Sequence, residues 1–116
     1  MTEIIIWETL TVERYGAVDW LTLNRPDALN SLDLQMLHDL RDYFGGMSER
    51  ISTRVIGLAG AGRAFCACLD IGEAVTTMKD VSTQPDGAGW GFQGYLADVY
   101  AMMRRIPQPI ISLVQG

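Results

Sequence analysis

The six residues after Arg54, Val-Ile-Gly-Leu-Ala-Gly, constrain this chain more than any other stretch. They form an unbroken apolar run with β-branched residues at its head and glycine at its end. A half-exposed strand would alternate with polar residues, and an amphipathic helix would show them every second or third position. This run does neither. Residues 54–60 therefore read as a strand covered on both faces, as in a parallel sheet.

Helical stripes lie on either side of that strand. Before it, Met36, Leu37, Leu40, Phe44 and Met47 recur at three- and four-residue spacing. Ser31 is the expected N-cap, with Asp33 adding negative charge to the first turn. Gly45-Gly46 weakens the last turn, so the helix is expected to end between Phe44 and Glu49. After the strand, Phe92, Leu96, Val99, Met103 and Ile106 mark a second helix closed by Pro107, and residues 110–114 read as another short apolar strand. At the front, residues 4–14 and 17–23 read as two strands of an opening hairpin turning at Tyr15-Gly16. Residues 73–79 suggest a short helix, and 80–89 a mobile loop. The order β-β-α-β-(α)-α-β indicates an α/β fold with helices over largely parallel strands, and 116 residues suffice for one core.

Charge narrows the partners. Nine Lys and Arg against fourteen Asp and Glu give a net charge of −5, which excludes a basic face for nucleic acid. An anionic ligand must therefore be held by local donors. No apolar run approaches the ~20 residues of a membrane-spanning helix, and the start lacks a secretory pattern. Cys66 and Cys68 are the only cysteines. A bridge between them would close a strained ring, and neither has partners for a metal site. A cytoplasmic, metal-free protein is the expectation. The glycines at 57, 60 and 62 do not make a dinucleotide fingerprint.

Three segments, in order, resemble the enoyl-CoA hydratase/isomerase (crotonase) family. Residues 23–32, Leu-Asn-Arg-Pro-Asp-Ala-Leu-Asn-Ser-Leu, are similar to its "LNRP-x-x-x-NAL" segment. Residues 55–60 and 62–71, ending Phe65-Cys66-Ala67-Cys68-Leu69-Asp70-Ile71, resemble its "VI-x-L-x-G-x-G-x-FCAG-[AL]-D-[IL]" stretch. Residues 107–116 resemble the "KPVIAAVNG" strand that leads into its glycine-rich second motif.

The resemblance implies the N-terminal part of a crotonase-type ββα spiral and an acyl-CoA thioester as ligand. Coenzyme A would be part of the substrate, with no separate cofactor. Family members stabilise an enolate-like thioester oxygen with two backbone N–H groups, and that of Leu69 aligns with the first. Ala67, Cys68, Leu69, Asp70, Ile71 and Gly72 would line the thioester channel. Arg25, Ala28 and Leu29 would flank the nucleotide, with the Arg25 fork on a phosphate. The alternative for Arg25 is solvation or a pair with Asp27. The second donor and the two hydratase glutamates belong to positions after Gly116, so residues 1–116 alone are expected to be inactive. Glu73 reads as a surface residue. Complete members assemble as trimers or hexamers. The competing reading is a non-catalytic paralogue that associates with full-length subunits or binds CoA weakly.

One departure stands out. Cys68 occupies the usual Gly position of "CAG", where positive φ or a close ligand is expected, and its Cβ would cost about 1–2 kcal/mol in a left-handed conformation. A nucleophilic role for Cys66 or Cys68 lacks a base, since His38 lies on a distant helix. Cys66 reads instead as a small packed hydrophobe.

Overall fold

A computed structural model describes residues 2–70 and 91–116. The expected short helix at 73–79 and loop at 80–89, together with Ile71, Gly72 and Glu73, lie outside those residues. One five-stranded sheet has the order β1-β2-β3-β4-β5. The strands are β1 (Thr2–Ile6), β2 (Leu10–Tyr15), β3 (Val18–Leu23), β4 (Val55–Gly60) and β5 (Ile110–Ser112). Helix α1 (Leu34–Gly45) lies between β3 and β4, and helix α2 (Gly91–Arg105) precedes β5.

The opening is a three-stranded antiparallel meander rather than a hairpin. The break comes where Trp7 N–H donates to the Leu10 carbonyl (2.8 Å). Side chains of α1 then hold the corner. Asp39 accepts from the Thr9 amide and hydroxyl (3.0 and 2.6 Å), and Asp42 accepts from Trp7 Nε1 (2.9 Å). These polar contacts reach across 30 or more residues, beyond what local periodicity can show.

From β3 onward the sheet is parallel: β4 pairs with β3 and with β5. The 55–60 run is thus an interior strand, and β5 is the edge. Leu10 and Val12 of β2, Leu21 and Leu23 of β3, and Ile56 and Leu58 of β4 face α1 and form the core with Met36, Leu37, Leu40 and Phe44. On the other face the Trp20 indole lies over Gly57, where a Cβ would come within 2.8 Å of the ring. Glycine there leaves room for the indole.

Helix α1 starts later than the sequence suggests. Asp33, not Ser31, is its N-cap and accepts from the Met36 amide (2.8 Å). Ser31 is buried before the helix and enters the contacts described next. Helix α2 packs on α1, with Val99 and Ile106 buried, Leu96 and Met103 half-buried, and the exposed His38 against the Tyr95 ring (5.0 Å).

Candidate functional site

Two loops meet at the C-terminal ends of the parallel strands. One, residues 24–33, joins β3 to α1 through a short 3-10 turn (Pro26–Ala28). The other, residues 61–70, leaves β4. Gly60 lets the second loop fold back closely, since a Cβ there would come within 2.8 Å of the Ala64 carbonyl oxygen.

Asn30 joins the loops. Its side chain is fully buried and its φ is +56°, a region that Asn tolerates better than most residues. The side-chain oxygen accepts from the Arg25 amide (2.7 Å), and the side-chain nitrogen donates to the Ala61 and Ala64 carbonyls (2.9 Å each). The sequence signal for Asn30 was its place in the "NAL"-like segment. Its role as a rivet was not foreseen.

The main chains then run side by side. Ala67 N–H donates to the Leu29 carbonyl (2.9 Å), Leu32 N–H to the Cys68 carbonyl (2.7 Å), and Asp70 N–H to the Leu32 carbonyl (2.9 Å). Leu32 and Leu69 thus form a single parallel bridge. In such a bridge the central residue bonds to both neighbours of its partner, and the partner's own N–H and C=O point the other way. Among the described residues no main-chain acceptor takes the Leu69 N–H. The turn therefore presents one unpaired donor between two pinned neighbours.

Cys68 sits at φ +75°. The left-handed conformation expected of a glycine is present, carried by a residue with a Cβ, at a cost of about 1–2 kcal/mol. Its side chain is exposed. Cys66 is half-buried, and burial pushes its thiol pKa up, with a smaller opposing effect from the Cys68 carbonyl. That is the environment of a packing residue rather than an activated nucleophile.

An apolar cavity of about 260 Å³ opens beside this turn. Leu32, Phe65 and Cys66 line it from the loops, Leu23 and Leu58 from the strand ends, and Leu96, Val99 and Met103 from α2.

The sequence candidates meet unevenly. Ala28 and Leu29 flank Ala67 through the Leu29 carbonyl, and Cys68, Leu69 and Asp70 form the turn. Arg25 is near as well, but its guanidinium is engaged by the chain itself. Nη1 donates to the Ser31 carbonyl (2.5 Å) and hydroxyl (3.3 Å), Nη2 to Asp70 (3.4 Å), and Nε lies 3.4 Å from Asp33. The carboxylates beside it are Asp33 and Asp70, and not Asp27, the partner named in the alternative reading. Among the described residues no three His, Cys, Asp or Glu side chains converge to hold a metal. Nor is any helix among them long and apolar enough to cross a membrane.

This is an α/β sheet whose strand ends present a left-handed turn, an amide with no partner among the described residues, and an apolar cavity. Residues 18–116 match the family described as enoyl-CoA hydratase/isomerase, and the chain belongs to that family. An Arabidopsis thaliana protein named "Probable enoyl-CoA hydratase 1, peroxisomal" is 32% identical over 87% of this chain and 34% of its own length. Among solved structures, Pseudomonas aeruginosa AtuE superposes with a TM-score of 0.84 at 28% identity, covering 94% of this chain and 41% of that one. An enoyl-CoA hydratase from Mycobacterium smegmatis gives 0.75 at 34% identity, covering 93% and 40%. The chain thus spans about a third of the curated relative it matches. The fold is the N-terminal portion of the crotonase spiral.

Proposed function

We propose that this chain supplies the acyl-CoA thioester-binding part of an enoyl-CoA hydratase/isomerase subunit, with Leu69 N–H as the first oxyanion donor. One observation carries this reading. The Leu69 amide is unpaired among the described residues, while Cys68 and Asp70 on either side are tied to Leu32. A fixed N–H aimed at a thioester oxygen gains strength as negative charge grows there. The acyl group would enter the cavity lined by Leu32, Phe65 and Cys66. Ala28, Leu29, Ala67, Cys68 and Asp70 would line the path of the pantetheine arm.

In the reaction proposed for the whole subunit, a water adds its oxygen to the β-carbon of a 2-enoyl-CoA while a base takes one of its protons. The C=C electrons shift onto the thioester oxygen, and as they return an acid delivers a proton to the α-carbon, so that one water is added in all. One donor is half of the hole such an enolate needs, and losing a single donor costs roughly 10²–10³ in turnover. Cytoplasmic residence and assembly as trimers or hexamers belong to the same proposal.

Two measurements on purified 1–116 polypeptide test it. Calorimetric titration should show butyryl-CoA binding more tightly than CoA, because only the ester carries a thioester carbonyl for Leu69. Incubation with crotonyl-CoA should show no loss of the conjugated-thioester absorbance. Hydration abolished by a substitution within residues 1–116 would contradict the inactivity, and equal binding of ester and free CoA would contradict the donor.

A further inference from the structure

The Arg25 side chain is 22% exposed, and two carboxylates, Asp33 and Asp70, lie beside its guanidinium. A phosphate bound to it would stand beside those carboxylates, and like charge disfavours its arrival. The contacts instead reach the groups that hold the two neighbours of Leu69. Ser31 C=O, which accepts from Nη1, and Leu32 N–H, which donates to the Cys68 carbonyl, belong to one peptide group. Asp70, which accepts from Nη2, donates its own amide to the Leu32 carbonyl. Arg25 therefore touches both supports of the turn, one before Leu69 and one after it, and through Asp33 it also touches the cap of α1.

We infer that Arg25 is a positioning residue that holds the Leu69 N–H in line for the thioester oxygen, and not a CoA-phosphate ligand. This rests on the acyl-CoA reading above. The left-handed Cys68 makes such a brace necessary, because a strained residue persists only where its surroundings over-determine it. A planar fork can bridge Ser31, Asp33 and Asp70 together, whereas a lysine ammonium is a single point charge.

The test compares wild type, Arg25→Lys and Arg25→Met for binding of CoA and of butyryl-CoA by the 116-residue chain. The positioning role predicts that both variants keep the CoA affinity and lose the ester's advantage over CoA by about tenfold. Hydrogen exchange at the Leu32 and Asp70 amides should rise in both while exchange at Ile56 in β4 stays unchanged. Arg25→Met weakening CoA and ester equally, with Arg25→Lys near wild type, would assign Arg25 to a phosphate and overturn the inference while leaving the Leu69 donor standing. Variants that match wild type in every readout would overturn it too. If wild-type protein showed no preference for the ester, the acyl-CoA reading itself would fail. Should Arg25→Met not fold, Arg25→Lys carries the comparison.

Discussion

The two ends of the parallel strands handle polar groups in opposite ways. At the N-terminal end Asp19 is fully buried and fully supplied with donors. It accepts from Arg14 Nε (3.1 and 3.3 Å), the Tyr43 hydroxyl (2.8 Å) and the Thr53 hydroxyl (3.3 Å), and Arg50 donates to Thr53 behind it (3.0 Å). At the C-terminal end the Leu69 main-chain donor has no partner among the described residues, beside a left-handed Cys68. The first arrangement commits its hydrogen bonds to stability, and the second is the one proposed to keep a donor for a ligand. A cleft of about 510 Å³ also lies at the Asp19 end, lined by Trp7, Arg14, Tyr43 and Arg50. It is larger and more open than the cavity lined by Leu32, Phe65 and Cys66, but its polar groups serve the fold.

Breaking the Asp19 end should have the largest effect. Asp19→Ala leaves the largely buried Arg14 and Tyr43 hydroxyl without their acceptor, at a cost of about 3–5 kcal/mol. Urea denaturation of the 116-residue chain should show the midpoint fall steeply or the folded state vanish. A midpoint within experimental error of wild type would mean the network is not structural.

Tyr43→Phe should cost less, about 1–3 kcal/mol, by removing one donor from a buried carboxylate. It also carries a pH signature. Burial, then the hydrogen bond and charge of Asp19, push the Tyr43 hydroxyl well above its ordinary pKa. A raised folded-state pKa gives stability that is complete below the unfolded value, about 10, and is lost as pH rises toward the folded one. Wild type should therefore lose stability above about pH 10 more steeply than Tyr43→Phe. Parallel pH profiles would contradict this.

The smallest effect belongs to the other end. Cys68→Gly relieves a left-handed residue, which should raise stability by about 1 kcal/mol or less, because glycine also gives the unfolded chain more freedom. Affinity for butyryl-CoA should rise with it as the Cβ leaves the turn. A drop in both would show that the cysteine supports the turn.

The apolar periodicities made much of this legible. The stripe from Met36 to Met47 and the 55–60 run reported a buried helix face and an interior strand, because both are set by burial on one element. The break at Trp7 was hidden, since Asp39 and Asp42 cause it from a distant helix. The N-cap went to Asp33 because Ser31 is occupied by Arg25. Asp19 lies in a strand whose apolar residues carry the pattern, and its burial is explained by cross-strand Arg14 together with Tyr43 and Thr53 from distant segments. At the site, the likeness of residues 62–71 to a known motif pointed to Leu69 and flagged Cys68. That Asn30 and Arg25 serve the turn from the other loop depends on tertiary contacts no spacing encodes.

The decisive measurement follows the Leu69 amide resonance in 15N-labelled protein during titration with butyryl-CoA and, separately, with CoA. The structure predicts that this resonance moves downfield with the ester and barely responds to CoA, while the Leu32 and Asp70 amides, already bonded, stay nearly still. A Leu69 amide that is protected from exchange without ligand and indifferent to the ester would contradict the proposed role of the turn.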